Sequence, residues 1–197
     1  MKQKNNMSDI VVPSVDELSG ELKREKFHSR YKKLLRSTVY TLIIVAAVSV
    51  LVATLLLPVL QIYGTSMNPN LSQGDIVFSV KTKDFKTGDI IAFYYNNRVL
   101  VKRVIGLPGD VVEIKDNGDV YVNSVLLEEP YLAQKDCGSA DLEYPYTVPQ
   151  NSYFVLGDHR DSSVDSRNSV IGCVKQEEII GRILFRVWPP ESVGRVK

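Results

Sequence analysis

The longest apolar stretch of the chain lies near its start and covers residues 42–60, with the sequence LIIVAAVSVLVATLLLPVL. No Asp, Glu, Lys or Arg occurs between Ser37 and Gly74. A helix of about 20 apolar residues matches the hydrocarbon thickness of a bilayer. A buried helix of a soluble protein is the alternative, but such a helix normally keeps a polar stripe over this length. The pattern therefore predicts one membrane-spanning helix.

The charges on the two sides of this stretch differ sharply. The next basic residue after it is Lys81, whereas the segment just before it carries Lys23, Arg24, Lys26, Arg30, Lys32, Lys33 and Arg36. Because cytoplasmic flanks are rich in Lys and Arg, residues 1–36 are predicted to be a cytoplasmic basic tail. Residues 37–60 would then be a transmembrane anchor and residues 61–197 an extracytoplasmic domain. The stretch is too long for a signal peptide and no small-x-small site follows it, so we expect an uncleaved, single-pass anchor in the cell membrane.

Beyond the anchor, short runs of β-branched and aromatic residues alternate with turn residues, which is typical of β-strands. The predicted strands are residues 75–80, 89–95, 98–105, 110–115, 119–123, 152–158 and 182–187. Asn117–Gly118, between two of these runs, is a strong signal for a hairpin. The predicted fold is therefore an all-β domain anchored by one N-terminal transmembrane helix. Residues 124–151 are predicted to be loops or a peripheral hairpin, and their role as lid, partner surface or filler stays open.

The overall composition narrows the possible functions. Lys and Arg total 24 against 23 Asp and Glu, and this balance gives no reason to expect a nucleic-acid partner. Cys137 and Cys173 could form a disulfide, but two cysteines at this spacing leave the question open. Of the two histidines only His159 follows the anchor. The ligands of a zinc cluster are therefore missing, and we expect no metal and no organic cofactor.

A candidate nucleophile lies directly after the anchor, in the heptapeptide YGTSMNP at residues 63–69. A catalytic Ser66 requires a base, and the chain offers two. His159 could act as in a Ser-His-Asp triad. A lysine can act only if its pKa falls from about 10.4, chiefly through burial. Most lysines here lie among polar neighbours, but Lys102 lies within the apolar run RVLVKRVIG.

Lys102 shares one face of its predicted strand with Leu100 and Val104, because alternate side chains project the same way. Such a lysine must extend outward to solvent or lose its charge. A lysine that blocks pairing at the edge of a sheet is the alternative interpretation. A third segment, GDHRDSSVDSRN at residues 157–168, is either a polar surface loop or a hydrogen-bonded platform on which a short hydroxyl holds the lysine amine in line with the serine.

Together, three segments resemble the bacterial type I signal peptidases: GTSMNP after the anchor, VKRVIGLPGD on a strand, and GDHRDSSVDSRNS in a late loop. The resemblance covers roughly residues 35–190 and includes the connecting GDIIAF and the late FRVWPP. It implies a β-rich catalytic domain on the outer face of the membrane that uses a serine–lysine dyad. Ser66 then matches the nucleophile and Lys102 the general base. His159 stands where the family tolerates other polar residues.

The resemblance also implies roles for residues of the late loop. Ser163 matches the hydroxyl that orients the lysine, and Asp165 and Arg167 match a structural ion pair of the site. Asp158 and Arg160 fit the same motif, and their role is expected to be architectural.

Three apolar residues that flank the dyad, Ile62, Met67 and Val101, resemble the pocket walls that admit only small side chains. Some members of the family carry a serine two residues before the nucleophile, where its hydroxyl binds the oxyanion. Here that position is Gly64, as in the Gram-positive branch of the family. The backbone N–H of Ser66 can still donate, and the second donor is left open.

The implied substrates are secreted preproteins, cut after small-x-small motifs by an enzyme held in membrane lipid near the secretion translocon. Confinement to one membrane surface raises the effective concentration of enzyme and substrate. Two alternatives stay open. One is a self-cleaving repressor peptidase of the same serine–lysine class, against which the membrane span argues. The other is an inactive anchored β-domain that only binds exported chains, although a binding module does not need a buried lysine beside a serine.

Overall fold

The computed structural model describes residues 14–56, 58–138 and 140–196, so residues 1–13 of the predicted N-terminal tail lie outside it. Helix α1, Val15–Leu56, has 42 residues and at 1.5 Å per residue is about 63 Å long. Within it, Leu18–Val52 is the helix segment in the described residues that is long and apolar enough to cross a membrane. The helix thus begins well before the predicted anchor and includes the basic segment from Lys23 to Arg36. The helix ends just before Pro58, which has no backbone N–H and cannot continue it.

Twelve β-strands lie in the described residues after the helix. Their bounds are β1 Val59–Gln61, β2 Ile76–Val80, β3 Ile90–Tyr95, β4 Arg98–Gly106, β5 Val111–Ile114, β6 Val120–Val122, β7 Val125–Leu126, β8 Tyr146–Thr147, β9 Ser152–Leu156, β10 Val174–Lys175, β11 Ile179–Trp188 and β12 Gly194–Arg195. Two single-turn 3-10 helices, Gln176–Glu178 and Pro190–Ser192, flank β11. The all-β prediction and all seven predicted strands are confirmed. Val59 and Leu60, at the end of the predicted anchor, lie in β1.

The strands form two antiparallel sheets. The main sheet has the order β1-β2-β11-β3-β4-β9-β10, with β12 paired to β11, and the small sheet has the order β7-β6-β5-β8. The hairpin predicted at Asn117–Gly118 joins β5 to β6, where Ile114 pairs with Val120. Gly118 has φ +82°, a backbone conformation that favours glycine. A separate prediction, that residues 124–151 form loops or a peripheral hairpin, is only partly right. These residues contribute the two outer strands of the small sheet, β7 and β8.

Three clusters of buried side chains hold the β-domain together and fix the segments that matter for function. The first cluster includes Ile62, Met67 and Leu71, so it anchors the turn that carries Ser66. The second contains Val104 with Leu100 packed against it, as the alternation along β4 predicts. The third joins the main sheet to the small one through Ile105, Phe154 and Leu156 on one side and Val112 and Val120 on the other.

Candidate active site

Ser66 lies in the turn that follows β1 and is partly exposed. Backbone hydrogen bonds from Asn68 N to Thr65 O (3.0 Å) and from Leu71 N to Met67 O (2.9 Å) close the turn. Met67 and Leu71 are 2% and 0% exposed, so their side chains fix the turn in the core. The serine hydroxyl is therefore held on a rigid segment.

Lys102 lies on β4, which pairs with β3 on one side and β9 on the other. The edge-strand interpretation of this lysine is therefore wrong. The residue is only 3% exposed, and its Nζ donates a hydrogen bond to Ser163 Oγ at 2.9 Å. Burial lowers the pKa of Lys102 to about 8, since water no longer stabilises the ammonium form; Asp165 opposes this shift and Arg167 adds to it.

Gly157 lies between the turn that carries Ser66 and the side chain of Ser163, which accepts the hydrogen bond from Lys102. A Cβ at this position would lie 2.1 Å from Ser163 Oγ and 2.6 Å from Ser66 O. Only a residue without a side chain permits this close approach. The carbonyl of Ser66 also accepts a hydrogen bond from the backbone N–H of His159 at 3.0 Å. The structure thus brings together Ser66, Ser163 and, through Ser163, the amine of Lys102.

Asp165 and Arg167 form a buried ion pair next to these residues. Arg167 Nε donates to Asp165 Oδ1 at 2.8 Å and Nη2 to Oδ2 at 2.9 Å. Asp165 Oδ2 also accepts from the backbone N–H of Gly157 at 2.9 Å. The guanidinium further donates to the carbonyls of Arg160 (2.6 Å) and Cys137 (2.9 Å). The pair therefore braces the loop 157–168 against its neighbours, and the plain surface-loop interpretation of that loop is wrong.

The ring nitrogens of His159 lie within contact distance of other side chains of its own loop. Its Nε2 lies 3.1 Å from Asp161 Oδ1 and its Nδ1 lies 2.9 Å from Ser162 Oγ. Both nitrogens thus have partners within the exposed part of the loop, and the contact with Ser66 is made by the backbone of His159 alone. A Ser-His-Asp triad would need the ring itself at the serine hydroxyl.

A cavity of about 710 Å³ opens beside Ser66. Its walls include all three residues expected to form a substrate pocket, Ile62, Met67 and Val101. Gly64 lies on the same wall and has φ +85°, and a Cβ there would meet no atom within 4 Å. Space is thus available for a side chain at position 64, but the backbone conformation favours glycine. A second cavity, of about 1070 Å³, is lined by Lys81, Lys83 and Lys175 and contains none of the expected site residues.

Two buried charged residues near the site, Arg103 and Glu129, were not predicted from the sequence. Three arginine–carboxylate pairs are buried around the site: Arg103–Asp158, Arg160–Glu129 and Arg167–Asp165. The sequence assigned neither Arg103 nor Glu129 a role. Arg103 could have been found because it follows the candidate lysine directly. No local signal marks Glu129, because it lies in the stretch 124–151 and its partner is 31 positions away in the chain.

The two cysteines are free thiols in the structure, so the disulfide that the sequence left open is not formed. The Cys173 side chain packs against the third core cluster, and burial raises the pKa of its thiol to about 11. Cys137 contributes its carbonyl to Arg167.

The described residues combine an antiparallel β-domain that follows one long apolar helix, a serine on the wall of a cavity, and a buried lysine of lowered pKa. These are features that a peptidase can use. The chain belongs to the signal peptidase family, peptidase S26, whose family model matches residues 35–188. It is 33% identical to signal peptidase I of Bacillus amyloliquefaciens, over 89% of this chain and 100% of that protein. It is also 33% identical to signal peptidase IB of Staphylococcus aureus, over 80% of this chain and 92% of that protein.

Among solved structures, a signal peptidase I from Enterococcus faecalis is 37% identical, covering 52% of this chain and 98% of that chain with a TM-score of 0.45. The sequence relatives by themselves confirm the expected family.

Proposed function

We propose that this chain removes signal peptides from exported preproteins, with Ser66 as the nucleophile and Lys102 as the general base. One observation carries the proposal: the buried amine of Lys102, with its pKa lowered to about 8, is held by Ser163, and Ser163 meets the Ser66 turn at Gly157. A lysine can activate a serine only when its amine is readily deprotonated. Family membership supports the peptidase class.

In the proposed reaction, the neutral Lys102 amine accepts the proton of the Ser66 hydroxyl while Oγ attacks the scissile carbonyl carbon. The tetrahedral intermediate collapses, the new amine leaves with the proton from Lys102, and an acyl-enzyme ester remains. Lys102 then accepts a proton from water as the water oxygen attacks the ester carbon, and it gives this proton to Ser66 Oγ as the ester bond breaks and the new carboxyl end leaves. Asp165 favours the charged amine and would stabilise the lysinium that forms in each step.

The oxyanion of the intermediate requires hydrogen-bond donors placed where charge develops. The backbone N–H of Ser66 is the proposed first donor. A side-chain hydroxyl from position 64 is absent because that residue is Gly64, so the second donor has to be a backbone N–H or water.

The proposed specificity is for small side chains at the first and third positions before the cut. Ile62 and Met67 are buried and line the cavity beside Ser66 together with Val101. Apolar walls of this kind discriminate mainly by excluding larger side chains.

The anchor supports the remaining part of the proposal. Basic residues precede the apolar stretch 42–60 and none follows it before Lys81, which favours a cytoplasmic N-terminus and an extracytoplasmic catalytic domain. The enzyme would thus meet preproteins at the outer face of the cell membrane, near the translocon. Confinement to that face would raise the effective substrate concentration.

The proposal is tested with full-length protein in detergent and a preprotein substrate, with the cut mapped by mass spectrometry. Wild type, Ser66→Ala and Lys102→Ala are run side by side. We expect a cut after a small-x-small motif that both variants lack. If folded wild type cuts none of several preproteins but binds them, the chain is an anchored binding module instead.

The pH dependence of kcat/KM is expected to follow the lysine. Below the pKa of Lys102, about 8, the amine is protonated and cannot accept the serine proton, so kcat/KM should fall about tenfold per pH unit. A profile measured from about pH 6 to about pH 10 tests this. An acidic limb centred near 6.5 would indicate a histidine base instead.

Ser163→Ala is expected to lower kcat by roughly 10- to 100-fold with little change in KM, because the amine of Lys102 loses the partner that orients it. The loss should be smaller than for Lys102→Ala, which removes the base itself. Ser162→Ala is the matched control, since that hydroxyl is exposed and bonds only with His159. An equal or milder loss in Lys102→Ala would reverse the proposed ranking.

A further inference from the structure

We propose that the segment Glu129-Pro130-Tyr131, called here the clamp segment, is a positioning element for the catalytic residues. The inference rests on the proposed function and concerns a stretch to which the sequence pattern assigned no role. The clamp segment lies two residues beyond the end of β7 of the small sheet. Through one buried polar network it contacts three parts of the site: the loop 157–168, the strand that carries Lys102, and the turn that carries Ser66.

The first contact is between Glu129 and Arg160, which are 8% and 2% exposed. Both carboxylate oxygens of Glu129 accept from the guanidinium: Nη1 donates to Oε2 at 3.2 Å and Nη2 donates to Oε1. The third guanidinium nitrogen, Arg160 Nε, donates to the carbonyl of Gly157 at 3.1 Å. Gly157 is the point at which the Ser163 hydroxyl and the Ser66 carbonyl meet. Glu129 thus holds that point through a single intervening side chain.

The second contact is between Tyr131 and Arg103, the residue that follows Lys102 on β4. The Tyr131 ring centroid lies 3.9 Å from Arg103 Cζ, within the range of a cation–π interaction. The phenol donates a hydrogen bond to Glu129 Oε1 at 2.8 Å. Burial and the neighbouring Glu129 raise the pKa of this phenol, so its O–H is retained. The two ends of the clamp segment are therefore tied to each other as well as to their arginines.

The third contact is with the serine turn, through Asn70. Asn70 Nδ2 donates to the carbonyl of Tyr131 at 2.9 Å and to Asp158 Oδ2 at 2.7 Å. Asp158 in turn accepts two hydrogen bonds from Arg103, from Nε at 2.8 Å and from Nη2 at 2.6 Å. The network thereby closes between the serine turn, β4 and the loop 157–168.

A buried network of this kind fixes geometry only while every charge in it is paired. Removing the carboxylate of Glu129 would leave the Arg160 guanidinium buried without its counter-charge, and the loop would shift to solvate it. A shift of about 1 Å in the reacting groups can lower the rate by on the order of 100-fold. The clamp segment touches neither Ser66 nor Lys102 directly, so its effect is on orientation.

The test compares Glu129→Gln and Tyr131→Phe with wild type on a preprotein substrate. The concentration of active sites is counted with a serine-reactive acylating compound. For Glu129→Gln we expect kcat per active site to fall roughly 10- to 100-fold with KM nearly unchanged. The acidic limb of kcat/KM should move to higher pH, as water reaches Lys102. Tyr131→Phe should show a smaller loss of kcat in the same direction. Glu113→Gln, which breaks an exposed ion pair of the small sheet, should match wild type.

If folded Glu129→Gln has the same kcat per active site and the same pH profile as wild type, the clamp segment does not position the catalytic residues. A loss explained entirely by fewer active sites would lead to the same conclusion, because that result indicates a merely structural role. If Glu129→Gln does not fold, Tyr131→Phe decides, since it removes one hydroxyl and keeps the ring on Arg103. Wild type that cuts no preprotein would overturn the proposed function and the clamp with it, whereas active wild type with unaffected variants overturns the clamp alone.

Discussion

Lys102→Arg is expected to reduce preprotein cleavage by roughly 10³- to 10⁴-fold, equivalent to a rise of about 4 to 5.5 kcal/mol in the activation barrier. Lysine can supply a neutral amine here because burial lowers its pKa to about 8. A guanidinium stays protonated at any physiological pH and cannot accept the proton of Ser66. The measurement is kcat/KM on a preprotein in detergent, with circular dichroism to establish that the variant is folded.

Arginine is bulkier than lysine in a buried site, so Lys102→Met provides the matched variant. It removes the amine, keeps a similar chain length and introduces no charge, and it should lose as much activity. Lys175→Arg, at an exposed position on β10, should retain full activity. Retained cleavage in both Lys102 variants would rule out Lys102 as the base. His159→Ala would then test whether His159 is the base.

Asp165→Asn is expected to lower the free energy of unfolding by about 3–5 kcal/mol. The Arg167 guanidinium is 1% exposed and Asp165 is 0% exposed, so neutralising the carboxylate leaves a buried cation without its counter-charge. In a domain of this size such a loss corresponds to a decrease of roughly 10 °C in Tm. Thermal unfolding followed by circular dichroism in detergent tests it.

Asp161→Asn is the control for this prediction, since the same chemical change is made in the same loop. The Asp161 side chain is 60% exposed and pairs only with His159, and exposed pairs contribute little to stability. We therefore expect no measurable change in Tm. If Asp165→Asn also unfolded at the wild-type temperature, the buried pair would not be what holds the loop 157–168.

The long, regular elements follow from the sequence because their signals are local. Residues 42–56 of the apolar stretch form the last part of α1, and each of the seven predicted strands is present. Strands of two residues, such as β7 and β8, were missed because so short a segment shows no alternation. Their pairing is decided by neighbours that are distant in sequence, as where Thr147 pairs with Val111.

The candidate site also has features that the local sequence indicates and features that depend on residues distant in the chain. The apolar run around Lys102 and the resemblance to the type I signal peptidases were enough to select Ser66, Lys102 and Ser163 as candidates. The sequence could not show whether Lys102 lies at the edge or the centre of a sheet. The position of Lys102 in the sheet depends on β9, which lies about 50 residues further along the chain and pairs with β4. The burial of Lys102 and its lowered pKa follow from this position.

The sequence by itself determined the apolar helix, the strands, the hairpin and the residue types available for chemistry, because each of these depends on neighbours a few positions away. The tertiary structure alone decided the pairing of those buried charges that lie far apart in the chain. Glu129 reaches Arg160 across 31 positions and Arg103 reaches Asp158 across 55. No local pattern encodes such pairs, since their stability comes from excluding water around two charges that only the folded chain brings together.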